Sequence, residues 1–317
     1  MKAERNLASL TFVLVMAIEY GLIFLLRNHV EAVNAMTWEI NVFASEIMLV
    51  IPALLTMGMW YIYQLWRESK EDGYQMPAMS ERLMFRRVRF TTLLLTVLFT
   101  WAVLPLMTLC NAISMIFVEN EVALASGDIT NMPFALAVFV IAVYGPMCEE
   151  FAFRGVIYGG YRRNCRPLPA VLMSGLLFGL MHLNFNQFGY AFVLGCAMAL
   201  LVEAAGSIWP SVLLHFIVNF QSVVSLFAID RYLGGIAVDD VGGSIETMYV
   251  SIVIYGLISI ITTYLAVLLL RKIASNEGRQ NPLTMLRYSR HYEGRTIWSV
   301  SLVLGIAMAL FLMISSL

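Results

Sequence analysis

At 317 residues, 60% hydrophobic and only 13% charged, with a mean hydropathy of +0.78, the chain is far more apolar than a soluble domain, which carries about a quarter charged residues. These figures describe a polytopic membrane protein; the net charge of −1 is uninformative, and no nucleic-acid partner is expected. Cys110, Cys148, Cys165 and Cys196 are scattered without a CxxC pair, which argues against a disulfide framework or a thiolate zinc site.

Crossing ~30 Å of hydrocarbon takes roughly 20 apolar residues. Such runs lie near 7–26, 42–66, 90–118, 134–159, 189–205, 210–229, 247–270 and 297–316, and a shorter one, 168–183, ends at a histidine. The expected fold is therefore all-α, with about eight or nine transmembrane helices. The first run leads into further spans and lacks a small-residue cleavage site, so it reads as a retained helix.

With the N-terminus in the cytoplasm, the inside segments are 1–6, 67–89, 160–167, 206–209 and 271–296. They hold 17 of the 20 Lys and Arg residues, the others being Arg27, Arg154 and Arg231. Outside loops are acidic instead, with Glu119, Glu121 and Asp128 in one and Asp230, Asp239, Asp240 and Glu246 in another. The basic run "RRVRF" (86–90) is a topology signal and also a possible partner for anionic headgroups. Three parts are expected: spans in 1–133 (three), a core of 134–229, and 230–317 with two further spans.

The span at 134–159 carries Glu149, Glu150 and Arg154 in its middle. A charge at bilayer depth costs at least ~2.5–3.5 kcal/mol, so three together either bind helices or do chemistry. Glu150 and Arg154 are four apart and can pair on one face, as a structural ion pair. Glu149 projects roughly 100° away, free to meet something else. Pro146, just before, lacks an N–H and tends to kink the helix.

In "FGLMHLNFNQF" (178–188), Phe178 and His182 are four apart, at the end of the short span. At ~1.5 Å per residue from the Arg162–Arg166 turn, Glu149 stands ~20 Å and His182 ~24 Å up adjacent antiparallel helices, at similar depth. In "PSVLLHFIVNF" (210–220), His215 and Asn219 share a face, either as an interhelical hydrogen-bonding pair or as part of a site. Two of the chain's four histidines thus flank the carboxylates. Two GxxxG pairs, Gly155/Gly159 and Gly175/Gly179, are expected to let these helices approach closely.

At these residues the chain resembles the CPBP intramembrane proteases, which include type II CAAX prenyl endopeptidases and bacteriocin-processing or immunity proteins. "EEFAFR" (149–154) looks like the EExxxR motif, "FGLMH" (178–182) like FxxxH, and "HFIVN" (215–219) like the third motif. The resemblance covers roughly 134–229 and implies peptide-bond hydrolysis within the membrane. It implies that Glu149 is the general base, holding and deprotonating the attacking water with His182. His215 and Asn219 would face the oxyanion, with Glu150, Arg154 and Phe178 in support.

The implied substrate is a membrane-tethered or hydrophobic peptide or protein, with or without a lipid modification, and membrane lipids are the other partners. Glu149, His182 and His215 are also a zinc-type donor set, but there is no HExxH, and the favoured expectation is no cofactor. Two rival readings are a proton-coupled transporter, which would show internal repeats, and a catalytically silent scaffold or immunity protein of the same fold. A prokaryotic plasma membrane is the expected location.

Overall fold

The computed structural model describes residues 2–27, 38–233, 245–280, 282–283 and 296–315, and within them every regular element is a helix. In chain order the elements are α1 (Lys2–Arg27), α2 (Trp38–Lys70), α3 (Met79–Arg82), α4 (Phe90–Ser114), α5 (Glu121–Leu124) and α6 (Ser126–Thr130). There follow α7 (Phe134–Arg162), α8 (Pro167–Met181), α9 (Phe185–Ala205), α10 (Trp209–Leu233), α11 (Ile245–Asn276) and α12 (Val300–Ser315). Several bases and acids counted in the charge asymmetry, among them Asp239, Asp240, Arg287, Arg290 and Arg295, lie outside the described residues.

Seven of these helices are long and apolar enough to cross a membrane, which makes the chain a polytopic membrane protein. Among the described residues these account for seven of the expected eight or nine spans, and the other two expected runs form the shorter helices α8 and α12. The shorter α8 and α12 are apolar but have only 15 and 16 residues. Instead of standing alone, α12 packs on α1, with Gly305 set against the Phe12 ring.

Hydroxyl groups inside the spans can be satisfied by the helix's own backbone, as hydrocarbon favours. On α4, Thr96 and Thr100 each donate to the carbonyl four residues back, at 2.8 and 2.9 Å. Beside this ladder α4 packs along α11 and α9. α8 starts with Pro167 in its first turn, where a missing N–H costs nothing. It ends at His182, and Leu183 takes φ 56° to reverse the chain. Asn184 then caps α9 by accepting from the Gln187 N–H at 2.7 Å.

The basic segment after α2 is not a simple surface connector. Arg82 is buried, paired with Glu4 of α1 at 3.0 Å and facing the Trp60 ring at 5.3 Å. Leu83 packs onto Gly155. The expectation that Gly155/Gly159 is a helix–helix seam is therefore corrected: those glycines receive Leu83, Arg82 and Arg163 side chains. α1 instead crosses α7 at Gly160, where a Cβ would come 2.8 Å from Ala8. The Gly175/Gly179 pair does form a tight seam, between α8 and α9, with Gly195 opposite Gly175.

Candidate active site

α7 is not a uniform helix. Val138–Tyr144 and Phe151–Tyr158 are wound as π-helix on either side of an α-helical piece, Gly145–Glu150. Such widened turns are rare and concentrate at functional sites. In the first of them the Gly145 N–H donates five residues back, to the Val140 carbonyl. Pro146, next in that register, has no N–H to offer Ile141. The Asn219 side chain of α10 fills the gap, donating Nδ2 to the Ile141 carbonyl at 2.9 Å.

Glu150 and Arg154 are both fully buried and form an ion pair at 3.1 Å. Glu150 also accepts from the Ser211 hydroxyl and meets His215 Nδ1 at 3.2 Å. Arg154 donates to the Gly195 carbonyl at 3.2 Å, and its guanidinium lies 4.4 Å from the Phe178 ring centre. The two charges thus neutralise each other, with further hydrogen bonds to Glu150 from Ser211 and from Arg154 to Gly195, while Arg154 Nε and Nη1 make no hydrogen bond among the described residues.

Glu149 stands apart from that network. Its side chain is 12% exposed, and its Oε2, itself buried, has no hydrogen-bond partner among the described residues. His215 Nε2 faces it at 3.9 Å, too long for a direct hydrogen bond. With Nδ1 held by Glu150, the His215 ring is fixed in orientation, so its free edge is aimed at Glu149.

Phe178 organises the rest. Its ring makes edge-to-face contacts with Phe153, His182 and His215 at 5.2, 5.2 and 5.7 Å. His182 Nδ1 lies 2.9 Å from the Phe178 carbonyl, and Asn184 donates to the His182 carbonyl at 2.9 Å. Both expected histidines therefore flank one aromatic ring. Among the described residues only His215 comes within ion-pair distance of Glu149; His182 makes no such contact.

Two polar groups that the motifs leave unmentioned join the site. Ser211, four residues before His215, is buried against Glu150. Glu46 of α2 rests on Gly145, where a Cβ would sit 3.2 Å from its Oε1, and its buried Oε2 has no hydrogen-bond partner among the described residues. An acid inside the apolar run 42–66 was the available signal for Glu46, and the four-residue spacing was the signal for Ser211.

Among the described residues no three His, Cys, Asp or Glu side chains converge to hold a metal ion, so Glu149, His182 and His215 do not assemble the zinc-type set.

Residues 131–221 match the family described as "Type II CAAX prenyl endopeptidase Rce1-like". A curated relative, "Putative membrane peptidase YdiL" of Bacillus subtilis (strain 168), is 27% identical over 99 residues, 31% of this chain and 41% of that protein. The matched stretch is thus less than half the length of that relative. No solved structure matches the chain.

Proposed function

We propose that this chain, whose residues 131–221 match the Rce1-like type II CAAX prenyl endopeptidases, is an intramembrane endopeptidase acting on a hydrophobic or lipid-tethered peptide. The observation that carries this reading is the unpartnered, buried Glu149 Oε2 facing a histidine that is itself anchored on Glu150. A carboxylate without a hydrogen-bond partner, beside the Glu150–Arg154 ion pair, is suited to act as a base.

In the proposed reaction a water held by Glu149 and His182 attacks the scissile carbonyl. Glu149 takes the water's proton and returns it to the leaving amine, so that one water is consumed and a carboxylic acid and an amine are formed. His215, held through Nδ1 by Glu150, presents its Nε2 edge to the oxyanion, a few ångströms from the base. Asn219 has two amide hydrogens, one of which is given to Ile141, and the second is the other oxyanion donor. Glu150, Arg154, Ser211 and Phe178 position His215. The loops rich in Lys and Arg, and with them the N-terminus, face the cytoplasm of a prokaryotic plasma membrane.

The test is cleavage of quenched peptides, with and without a lipid anchor, by purified protein in liposomes. Wild type cleaves, with or without chelator, and Glu149→Gln does not. Equal cleavage by the variant removes Glu149 from the mechanism; loss of wild-type cleavage on chelation brings a metal into it. A wild type that cleaves none of the peptides favours the silent scaffold.

A further inference from the structure

On one side of the bundle a cavity of about 720 Å³ is lined by five arginines, Arg86, Arg87, Arg162, Arg163 and Arg279, and by only two carboxylates, Glu81 and Glu203. Glu203 is already committed: it accepts from Tyr158 Oη at 2.6 Å and pairs with Arg162. Glu277, an acid drawn in from beyond the lining, takes Arg86 at 2.8 Å. Positive charge is therefore in excess inside a concave space, where field lines are focused.

Backbone carbonyls hold most of these guanidinium groups in place. Arg86 donates to Ala205, Arg279 to Glu203 O, and Arg163 to Gly159 and Arg82. Arg279 lies so close over Gly206 that a Cβ there would meet its Nη1 at 2.5 Å, and Gly206 has φ 65° besides. Burial, then the neighbouring Arg82, push Arg163 down to about 9, against a smaller opposing pull from Glu4. That is the behaviour of a cation short of an anion.

A second cavity, of about 500 Å³, adjoins the first. It is lined by apolar side chains including Val88, Leu93, Val143, Met147, Trp209 and Phe216, and its one charged residue is Arg87. Arg87 lines both cavities and, among the described residues, makes no ion pair or hydrogen bond. Phe85, which lines the basic cavity, and Trp209, which lines the apolar one, are in ring contact at 5.8 Å. The two spaces together have the shape of an amphiphile, cationic at one end and apolar at the other.

We propose that the paired cavities bind one anionic phospholipid, its phosphate in the arginine-lined space and an acyl chain along the groove between α7 and α10. A zwitterionic lipid brings no net charge to the five guanidinium groups, and a free anion leaves the groove without an occupant. The groove reaches Val143 and Met147 on the helix of Glu149, and Phe216 next to His215, so the acyl chain is packed beside the candidate active site. The proposal does not depend on the proteolytic reading, since the lipid takes no part in chemistry.

The experiment measures thermal unfolding and native mass spectra of the full chain in neutral detergent. The probes are phosphatidylglycerol, phosphatidylcholine and inorganic phosphate, each titrated separately. Phosphatidylglycerol is expected to stay bound and raise the unfolding temperature; the other two are not. Arg87→Gln removes one charge-assisted contact and is expected to weaken phosphatidylglycerol binding about tenfold. Its unfolding temperature without lipid should equal that of wild type, since Arg87 is exposed and unpaired. Leu93→Trp, which fills the groove, should weaken the lipid and leave any weak effect of inorganic phosphate unchanged. Equal effects of the two lipids, an undiminished response in both variants, or phosphate acting as strongly as lipid would each overturn the proposal. So would displacement of bound phosphatidylglycerol by a lipid-anchored peptide, which would make the groove a substrate site.

Discussion

Removing Arg154 while leaving Glu150 in place should be among the most damaging single changes available in this protein. Both side chains have 0% exposure, and the Arg154 guanidinium lies 3.1 Å from the Glu150 carboxylate. Arg154→Met keeps the bulk of the side chain but strands a buried carboxylate and frees the Gly195 carbonyl. Breaking a buried pair from one side costs about 3–5 kcal/mol, whereas replacing both partners by neutral groups of similar size is often close to neutral. Arg154→Met is therefore expected to lose most of that amount in reversible unfolding, and Arg154→Met with Glu150→Gln to recover at least half. Cleavage should not recover in the double variant, because a neutral amide cannot hold His215 Nδ1–H as the Glu150 carboxylate does. The reasoning is refuted if the single variant loses under about 1 kcal/mol, or if the double variant is as unstable as the sum of the singles.

Three further outcomes follow from named contacts. Asn219→Ala should cost about 1–3 kcal/mol by leaving the Ile141 carbonyl bare, and Pro146→Ala in the same chain should return part of it by restoring an N–H; thermal melts of the three variants decide this. Gly195→Ala would put a Cβ 2.8 Å from the Gly175 Cα and 3.2 Å from the Phe178 Cβ. Backbone cannot yield as a flexible side chain does, so about 1–3 kcal/mol is lost and cleavage falls with it as Phe178 and both histidines shift. Glu277 is raised by burial, but hydrogen bonds from Thr92 Oγ1 and the Arg89 N–H, with Arg86, outweigh this and hold its carboxyl below the ordinary 4.5. Its contribution is present above that value and is lost as pH falls through the lower folded one. In acid melts below pH 4.5, wild type should thus lose stability faster than Glu277→Gln.

The spans were legible because twenty apolar residues in a row have few other destinations, and Glu149, Glu150, Arg154, His182 and His215 were legible because ionisable groups rarely enter such runs. Residue spacing did less well wherever helix geometry departs from 3.6 residues per turn. Nothing in "FVIAVYGP" announces a π-helical turn, so the pairing of Asn219 with Ile141 was beyond reach of any count along α10 or α7. Depth counting put Glu149 and His182 at similar depth but could not single out His215, which comes within 3.9 Å of Glu149 and arrives with α10 from another part of the sequence. Arg82 read as one more basic residue of a loop, because burial against Glu4 and Trp60 depends on partners about 80 and 20 residues away. The Gly155/Gly159 pair was misread for a related reason: a GxxxG spacing says that something approaches closely, not whether it is a helix or a folded-back segment.

Pro146 connects these points. A proline in mid-helix ordinarily leaves an orphan carbonyl and a bend, both unfavourable in hydrocarbon. Here the orphan is the carbonyl that Asn219 needs in order to be held, and the turn that widens ahead of Pro146 lies directly before the piece carrying both glutamates. The helix break thereby fixes α10 against α7 in rotation and along its axis, through one hydrogen bond above and the Ser211 and His215 contacts to Glu150 below. Three residues at four-residue intervals on α10 are thus seated on α7, two by Glu150 and one by the carbonyl that Pro146 leaves open. Rotating α10 by a fraction of a turn would break all three contacts together, so the distance from His215 to Glu149 is set by the packing of two helices and not by a loop.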